Sequence, residues 1–419
     1  MQEAFLHYLW RHQKLKFGPW QTTSGEAIQV VKRGFPNTLG GPDFKEAQIR
    51  LGETLWAGQV ELHLRASDWY KHRHHQDPAY RNVVLHVVYE EDQIVYRSNG
   101  ARLPCLELKG RFDEGLYERY SQLMAEERPI ACAPHFATAP EILKLEMLDR
   151  MALARLEQKS QFLEDLYRQS KGDWESCFYW ALAYSLGLKE NTLEMLRLAQ
   201  LLPLKLWRPI AKPRALEALF LGAAGFLDKA DPAFAEHQRD WQFLRHKYRI
   251  EPPHINWQYG GIRPAAFPDR RIALLGKILA AESNWHRKVL STEPAELSDL
   301  FKFSLPETWT HHYRCGQKSS KKIPLAMAKS LREKLIINLV VPYWFFYGSK
   351  TGRPDFKEKA LAGWAAMDPE LNKIVSLYEQ LGLTIRSALD SQAVLQWHNS
   401  LCGAKKCLNC ALGNNLLKG

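Results

Sequence analysis

The chain has 419 residues, 46% of them hydrophobic and 25% charged, enough apolar surface for two or three packed domains and too much for wholesale disorder. The opening residues, MQEAFLHYLWRHQ, lack the basic start and unbroken apolar run of a secretory signal. The most apolar stretch, Leu335 to Tyr347, carries Asn338 and Pro342 and is too short to cross a bilayer. Seven scattered cysteines without such a signal are expected to be reduced thiols in a cytoplasmic protein with no membrane partner. A formal charge of +11 favours a polyanionic partner, nucleic acid first. Residues 1–110 carry 14 Lys/Arg against 12 Asp/Glu, so most of that surplus lies later.

In chain order, Glu3 to His12 has helical spacing of Phe5, Leu6, Leu9 and Trp10. From Glu26 the pattern turns to short strand-like runs: AIQVV, EAQIRL, LWAGQVELHLRA, VVLHVVYE, QIVY and LPCLEL. Gly52-Glu53 reads as a hairpin turn, and Asp77-Pro78 as the N-cap and first turn of a short helix. Val83 to Tyr89 is almost wholly apolar, as a strand covered on both faces should be. Residues 111–139, with Pro129 and Pro134, read as a connector holding one helix. After it, amphipathic stretches at 141–169, 174–186, 215–227 and 270–281 predict helices. The predicted organisation is α+β: an α/β domain over 1–110, the connector, and a larger all-α domain over 140–419.

The hairpin GPDFKEAQIRLGETLWAGQVELHLRA concentrates the chemistry. Along its second strand Val60, Leu62 and Leu64 share one face, and Glu61 and His63 share the other. Asp43 stands at the mouth of the first strand. Hard oxygen ligands held on a rigid hairpin suit a divalent ion beside a phosphate. Pro42-Asp43 followed by Glu61-Leu62-His63, with this order of elements, resembles the PD-(D/E)xK nuclease superfamily. The resemblance implies that Asp43 and Glu61 hold Mg or Mn, and that His63 stands where a lysine is usual. An imidazole there can act as a base or ligand but carries no permanent charge near neutral pH. Over nearly its full length the chain also resembles an uncharacterised bacterial family, common in Bacteroidetes, through FLHYLW, NTLGGPDF, WAGQVELHLRASDWYKH, DPAYRNVVLHVVYE, FPDRRIALL and CGAKKCLNCALGN.

Further groups are candidates for supporting roles. Asp68, His72 and Tyr80, from a polar run that also holds His74 and His75, are placed beside the metal site, and Glu26 is a more remote acid. His398, Cys402, Cys407 and Cys410 have spacing that can close a zinc site; an iron–sulfur cluster, which some nucleases of this fold hold near the C-terminus, more commonly takes four cysteines. Arg314, Lys318, Lys321 and Lys322 fit a phosphate backbone, and Arg263, Arg270 and Arg271 stand among aromatics of a kind on which single strands stack. The reading is a metal-dependent nuclease acting on DNA or RNA. The alternatives are an inactive nuclease-like nucleic-acid-binding protein and a helical scaffold.

Overall fold

The computed structural model describes residues 1–37 and 40–418 and is a mixed α/β protein with an N-terminal sheet region and a larger helical part. Two compact units divide it: Met1–Met147 with His398–Gly419, and Leu148–Trp397. The boundary expected at residue 139 is therefore drawn differently. The final segment, read from sequence as part of the helical domain, belongs to the sheet unit.

That unit opens with helix α1 (Glu3–His12) and strands β1 (Trp20–Gln21), β2 (Ala27–Lys32), β3 (Phe35–Pro36), β4 (Phe44–Leu51) and β5 (Thr54–Arg65). Helix α2 (Asp68–Lys71) and a single turn at Pro78–Tyr80 lead to β6 (Val83–Glu90) and β7 (Cys105–Glu107). The sheet order is β1-β2-β4-β5-β6-β7, with β3 also paired to β4. The β2–β4 and β4–β5 pairs are antiparallel, whereas the β5–β6 and β6–β7 pairs are parallel.

Side-chain alternation explains the layering. Phe44, Ala47, Ile49 and Leu51 of β4 enter the core with Val60 and Leu62 of β5 and Leu85 and Val87 of β6. Helix α1 closes that face with Phe5, Leu6, Leu9 and Trp10, each worth about 2–3 kcal/mol of apolar burial. The opposite face packs Trp69, Val83, Val88, Val95 and Leu103. A register shift between Phe44 and Ala47 bulges β4 just after Asp43. Gly58 is required where β5 meets β6, because a Cβ there would lie 2.4 Å from the Asn82 carbonyl oxygen and 2.5 Å from Val84 Cγ1.

Most expected elements are present. Helices at Glu3–His12, Glu141–Gln169 and Trp174–Leu186 begin and end as the periodicity implies, and β6 is buried on both faces. Other helices occupy Pro213–Ala223 and Pro268–Ala281. QIVY is not a strand; Tyr96 makes only an isolated bridge to Arg102. The helix expected after Asp77 is one turn, capped by the Asp77 carboxylate accepting from the Ala79 N–H at 2.8 Å. Leu335 to Tyr347 is buried except for the exposed Asn338 and half-buried Tyr347, with a π-type turn over Ile336–Val340 just before Pro342, which has no N–H to offer. Among the described residues no helix is long and apolar enough to cross a membrane.

Candidate metal centre

Because Val60 and Leu62 face the core, period two turns Glu61 and His63 to the other side. That side is covered. Glu61 is 5% exposed and His63 2%, beneath the segment from Trp69 to Tyr80. Asp43 reaches Glu61 across the hairpin. Its backbone N–H donates to Glu61 Oε2 at 3.0 Å, while its own Oδ2 accepts from the Leu62 N–H at 2.9 Å. Helix α1 adds His7, whose Nε2 is 3.5 Å from Asp43 Oδ2 and 3.8 Å from Glu3 Oε1.

Four imidazoles gather on the same spot. His63 Nδ1 is 2.9 Å from His86 Nε2, and His63 Nε2 is 3.2 Å from His72 Nδ1 and 3.6 Å from Glu61 Oε1. His74 Nε2 lies 3.3 Å from Glu61 Oε1, its ring stacked on Tyr80 with centroids 3.8 Å apart. One nitrogen each from His63, His72 and His74 fall within 4.8 Å of one another. Three imidazole nitrogens with an adjoining carboxylate oxygen form a donor set that a divalent transition ion would accept. His86 is placed to hold the His63 ring in position, as the outer partners of metal-bound imidazoles do.

Burial dominates the electrostatics of the cluster. Burial, reinforced by the neighbouring Asp43, pushes the Glu61 carboxyl up to about 9. Burial also raises Asp43, with His7 and the Leu62 N–H opposing. Burial drives His63 down to about 2, helped by His86, His74 and His72, and takes His86 down to about 3. His74 is lowered by burial, and burial with the nearby Glu61 lifts the Tyr80 hydroxyl to about 12. Near pH 7 the metal-free cluster thus holds a protonated Glu61 beside neutral His63 and His86. A bound dication reverses that balance by favouring the charged carboxylates. Beside the cluster a cavity of about 510 Å³ is lined by Glu3, His7, Arg11, His12, Lys405 and Lys406.

The structure brings Asp43, Glu61, His63, His72 and Tyr80 together. Asp68 is nearby, but its carboxylate takes the Arg65 N–H and the Lys71 ammonium at 3.2 and 2.6 Å. Glu26 is a correction: it sits by the Gly52 turn, at the opposite end of β4 from Asp43, roughly 25 Å away at strand rise. Arg270 and Arg271 are corrections too, being 5% and 8% exposed. Arg270 donates to the carbonyls of Trp309, His312 and Pro324, so it ties loops together and presents nothing to a ligand. Arg263, Lys318, Lys321 and Lys322 are exposed, whereas the Arg314 guanidinium stacks 3.5 Å from the Tyr259 ring centre. Cys402, Cys407 and Cys410 belong to the sheet unit, where Cys132 joins them. Sequence reasoning passed over His74 and left out Glu3, His7 and His86. A lone polar residue inside VVLHVVYE was the available signal for His86.

Fold and site together define an α/β sheet domain with a buried carboxylate–imidazole centre, joined to a helical domain. The chain belongs to the family described as protein of unknown function (DUF2851), whose model matches residues 3–373. No curated protein and no solved structure matches the chain.

Proposed function

We propose that this chain is a divalent-metal-dependent phosphodiesterase of PD-(D/E)xK type, acting on DNA or RNA. The observation that carries the reading is the clasp of Asp43 and Glu61 at the head of β4 and β5, with His63 two residues on and on the same face. The order of helix, antiparallel strands, crossover helix and parallel strand supports it. Asp43 and Glu61 would hold the ion, with His72 and His74 close enough to join. Imidazole donors shift the preference from Mg²⁺ toward Mn²⁺ or a later ion. The ion would supply Lewis acidity toward a phosphoryl oxygen and make water a nucleophile near neutral pH.

The chain's own residues supply the remainder. His63 stays neutral, so it offers a nitrogen lone pair and not the fixed charge of a lysine. Arg11, Lys405 and Lys406 along the adjoining cavity offset phosphate charge. The test is hydrolysis of labelled single- and double-stranded DNA and RNA with Mn²⁺ or Mg²⁺, comparing wild type with Asp43→Asn and Glu61→Gln. Each variant should lose activity about a hundredfold or more. Equal rates in all three would sink the proposed centre. Tight Mn²⁺ binding without cleavage of any substrate would move the reading to an inactive nucleic-acid-binding protein.

A further inference from the structure

His74 and Tyr80 take part in two sites. Besides meeting the carboxylate–imidazole centre, both line a second cavity of about 240 Å³ within the sheet unit. Three stretches of chain build it. Arg73, in the left-handed region at φ 59°, turns the chain back after α2, and the His74 N–H donates to the Trp69 carbonyl at 3.0 Å. That reversal brings Trp69, His74 and His75 to the cavity, and Tyr80 and Arg81 reach it from the Pro78–Tyr80 turn. The third stretch is the tip of the 95–103 loop, which carries Arg97. The Arg97 N–H closes the tip on the Ala101 carbonyl at 2.8 Å, and the Tyr96 N–H docks it on α2 by donating to the Tyr70 hydroxyl at 2.9 Å.

Several polar atoms of these walls are unmatched. Trp69 Nε1 and His75 Nδ1 are buried and have no hydrogen-bond partner among the described residues. Both can donate, the imidazole in its Nδ1–H tautomer. Trp69 is 2% exposed, so bulk solvent does not satisfy its indole, and buried donors of this kind are normally paired. Arg97 is half-buried, and burial lowers its guanidinium with no carboxylate beside it to compensate. The cavity's carboxylate is Asp77, whose Oδ1 already accepts from the Ala79 N–H at 2.8 Å. Two guanidiniums, Arg81 and Arg97, against one carboxylate leave the walls cationic.

We propose that this cavity binds a phosphate group, as the free ion or as a phosphomonoester. Donors from three separate stretches of chain suit the oxygens of a tetrahedral anion, whereas a carboxylate offers its lone pairs in one plane. Guanidiniums bind phosphate through paired N–H bonds. The volume is below that of sites enclosing drug-sized ligands, so the phosphate enters and the group it is attached to extends outside. The position gives the occupant a structural use. The His74 ring lies 3.8 Å from that of Tyr80 and its Nε2 3.3 Å from Glu61 Oε1. An anion held here braces the wall that carries a candidate metal donor. The anion site itself stands whether or not the centre holds a metal or cleaves a substrate.

The experiment is calorimetric titration of the full chain in EDTA, so that no metal at the centre recruits the anion. Inorganic phosphate, glycerol phosphate and adenosine monophosphate are the probes, with acetate and adenosine as controls. Saturable binding of phosphate or of a monoester, and of neither control, is expected; the tighter of the two names the source. Acetate binding as tightly as phosphate, or no binding of any phosphate-bearing probe, overturns the proposal. Arg97→Gln should weaken the tightest probe about tenfold or more, while Arg263→Gln, exposed in the helical unit, should leave it unchanged. Equal affinity in wild type and Arg97→Gln also overturns it. Should Arg97→Gln fail to fold, phenylglyoxal modification of wild type decides. With the probe at saturation, peptide mapping should find Arg81 and Arg97 protected and Arg11 and Arg263 modified. Protection of Arg11 without Arg97 would put the anion in the cavity beside α1 and refute the assignment.

Discussion

Replacing Glu61 by glutamine removes a carboxyl whose titration in the folded protein is displaced to about 9, against an ordinary value near 4.5. Between those limits the folded state keeps a proton that the unfolded chain has released. The metal-free protein should therefore lose stability as pH rises. The cost approaches about 1.4 kcal/mol per pH unit and levels off near the folded value. Within the sheet unit the window from pH 7 to 8.5 isolates this effect; Lys159 of the helical unit, lowered by burial to about 7, acts there with the opposite sign. Above pH 7 His63 and His86 are neutral in the folded state, where burial lowers them, and nearly so in the unfolded state. Glu61 is 5% exposed, so solvent screening does little to soften the figure. In the presence of a chelator, wild type should lose about 2 kcal/mol across the window, while Glu61→Gln, neutral in both states, should stay flat. Because the chain has two units and need not unfold in one step, native-state amide exchange at the Leu62 and Val87 amides of β5 and β6 is the assay. Added Mn²⁺ should reverse the wild-type slope by favouring the ionised carboxylate. A flat wild-type profile, or the same slope in Glu61→Gln, would refute the argument that the centre is a cation-starved acid pair.

On the acid side, His63 and His86, held at about 2 and 3, make the unfolded chain the better proton acceptor below pH 6.5. Partly offset by Glu61, the same exchange signal should show a net loss of about 1.4 kcal/mol per unit between pH 6 and 5. His86→Gln should reduce that acid loss, and an unchanged profile would argue against the buried imidazole pair. Gly58→Ala drives a Cβ against the Asn82 carbonyl and Val84 and should destabilise the sheet unit by about 2 kcal/mol or more, read as a lowered thermal midpoint. Arg270→Ala strips partners from the buried Trp309 and His312 carbonyls and from the Pro324 carbonyl and should cost about 3 kcal/mol in urea unfolding. In the same variant the salt dependence of any DNA binding should stay as in wild type; a shallower slope would restore Arg270 to the binding surface.

Local periodicity made much of this molecule readable. Alternation along LWAGQVELHLRA was enough to put Glu61 and His63 on one face, because strand geometry is set by neighbouring residues. The same holds for the helices at Glu141–Gln169 and Trp174–Leu186, the second bounded by an Asp173 N-cap and a Gly187 C-cap. Burial of that second face was not readable, since it depends on how the 69–80 segment folds back and not on β5 itself. For the same reason His74 looked like one polar loop residue among several. Arg270 and Arg271 resembled a basic surface because composition cannot tell a guanidinium facing solvent from one facing three carbonyls. Cys132 was out of reach of any spacing rule; its neighbours in space lie some 270 residues away.

The split of the sheet unit between Met1–Met147 and His398–Gly419 has a consequence for synthesis. Strands β1 to β7 leave the ribosome before the helical unit, yet Leu408 and Leu417, which pack into their core, are made only after it. During translation of the whole helical unit, the nascent sheet must wait with part of its apolar floor uncovered. A chaperone that shields that gap, or a slow helical unit that prolongs it, would decide how much chain reaches the finished fold.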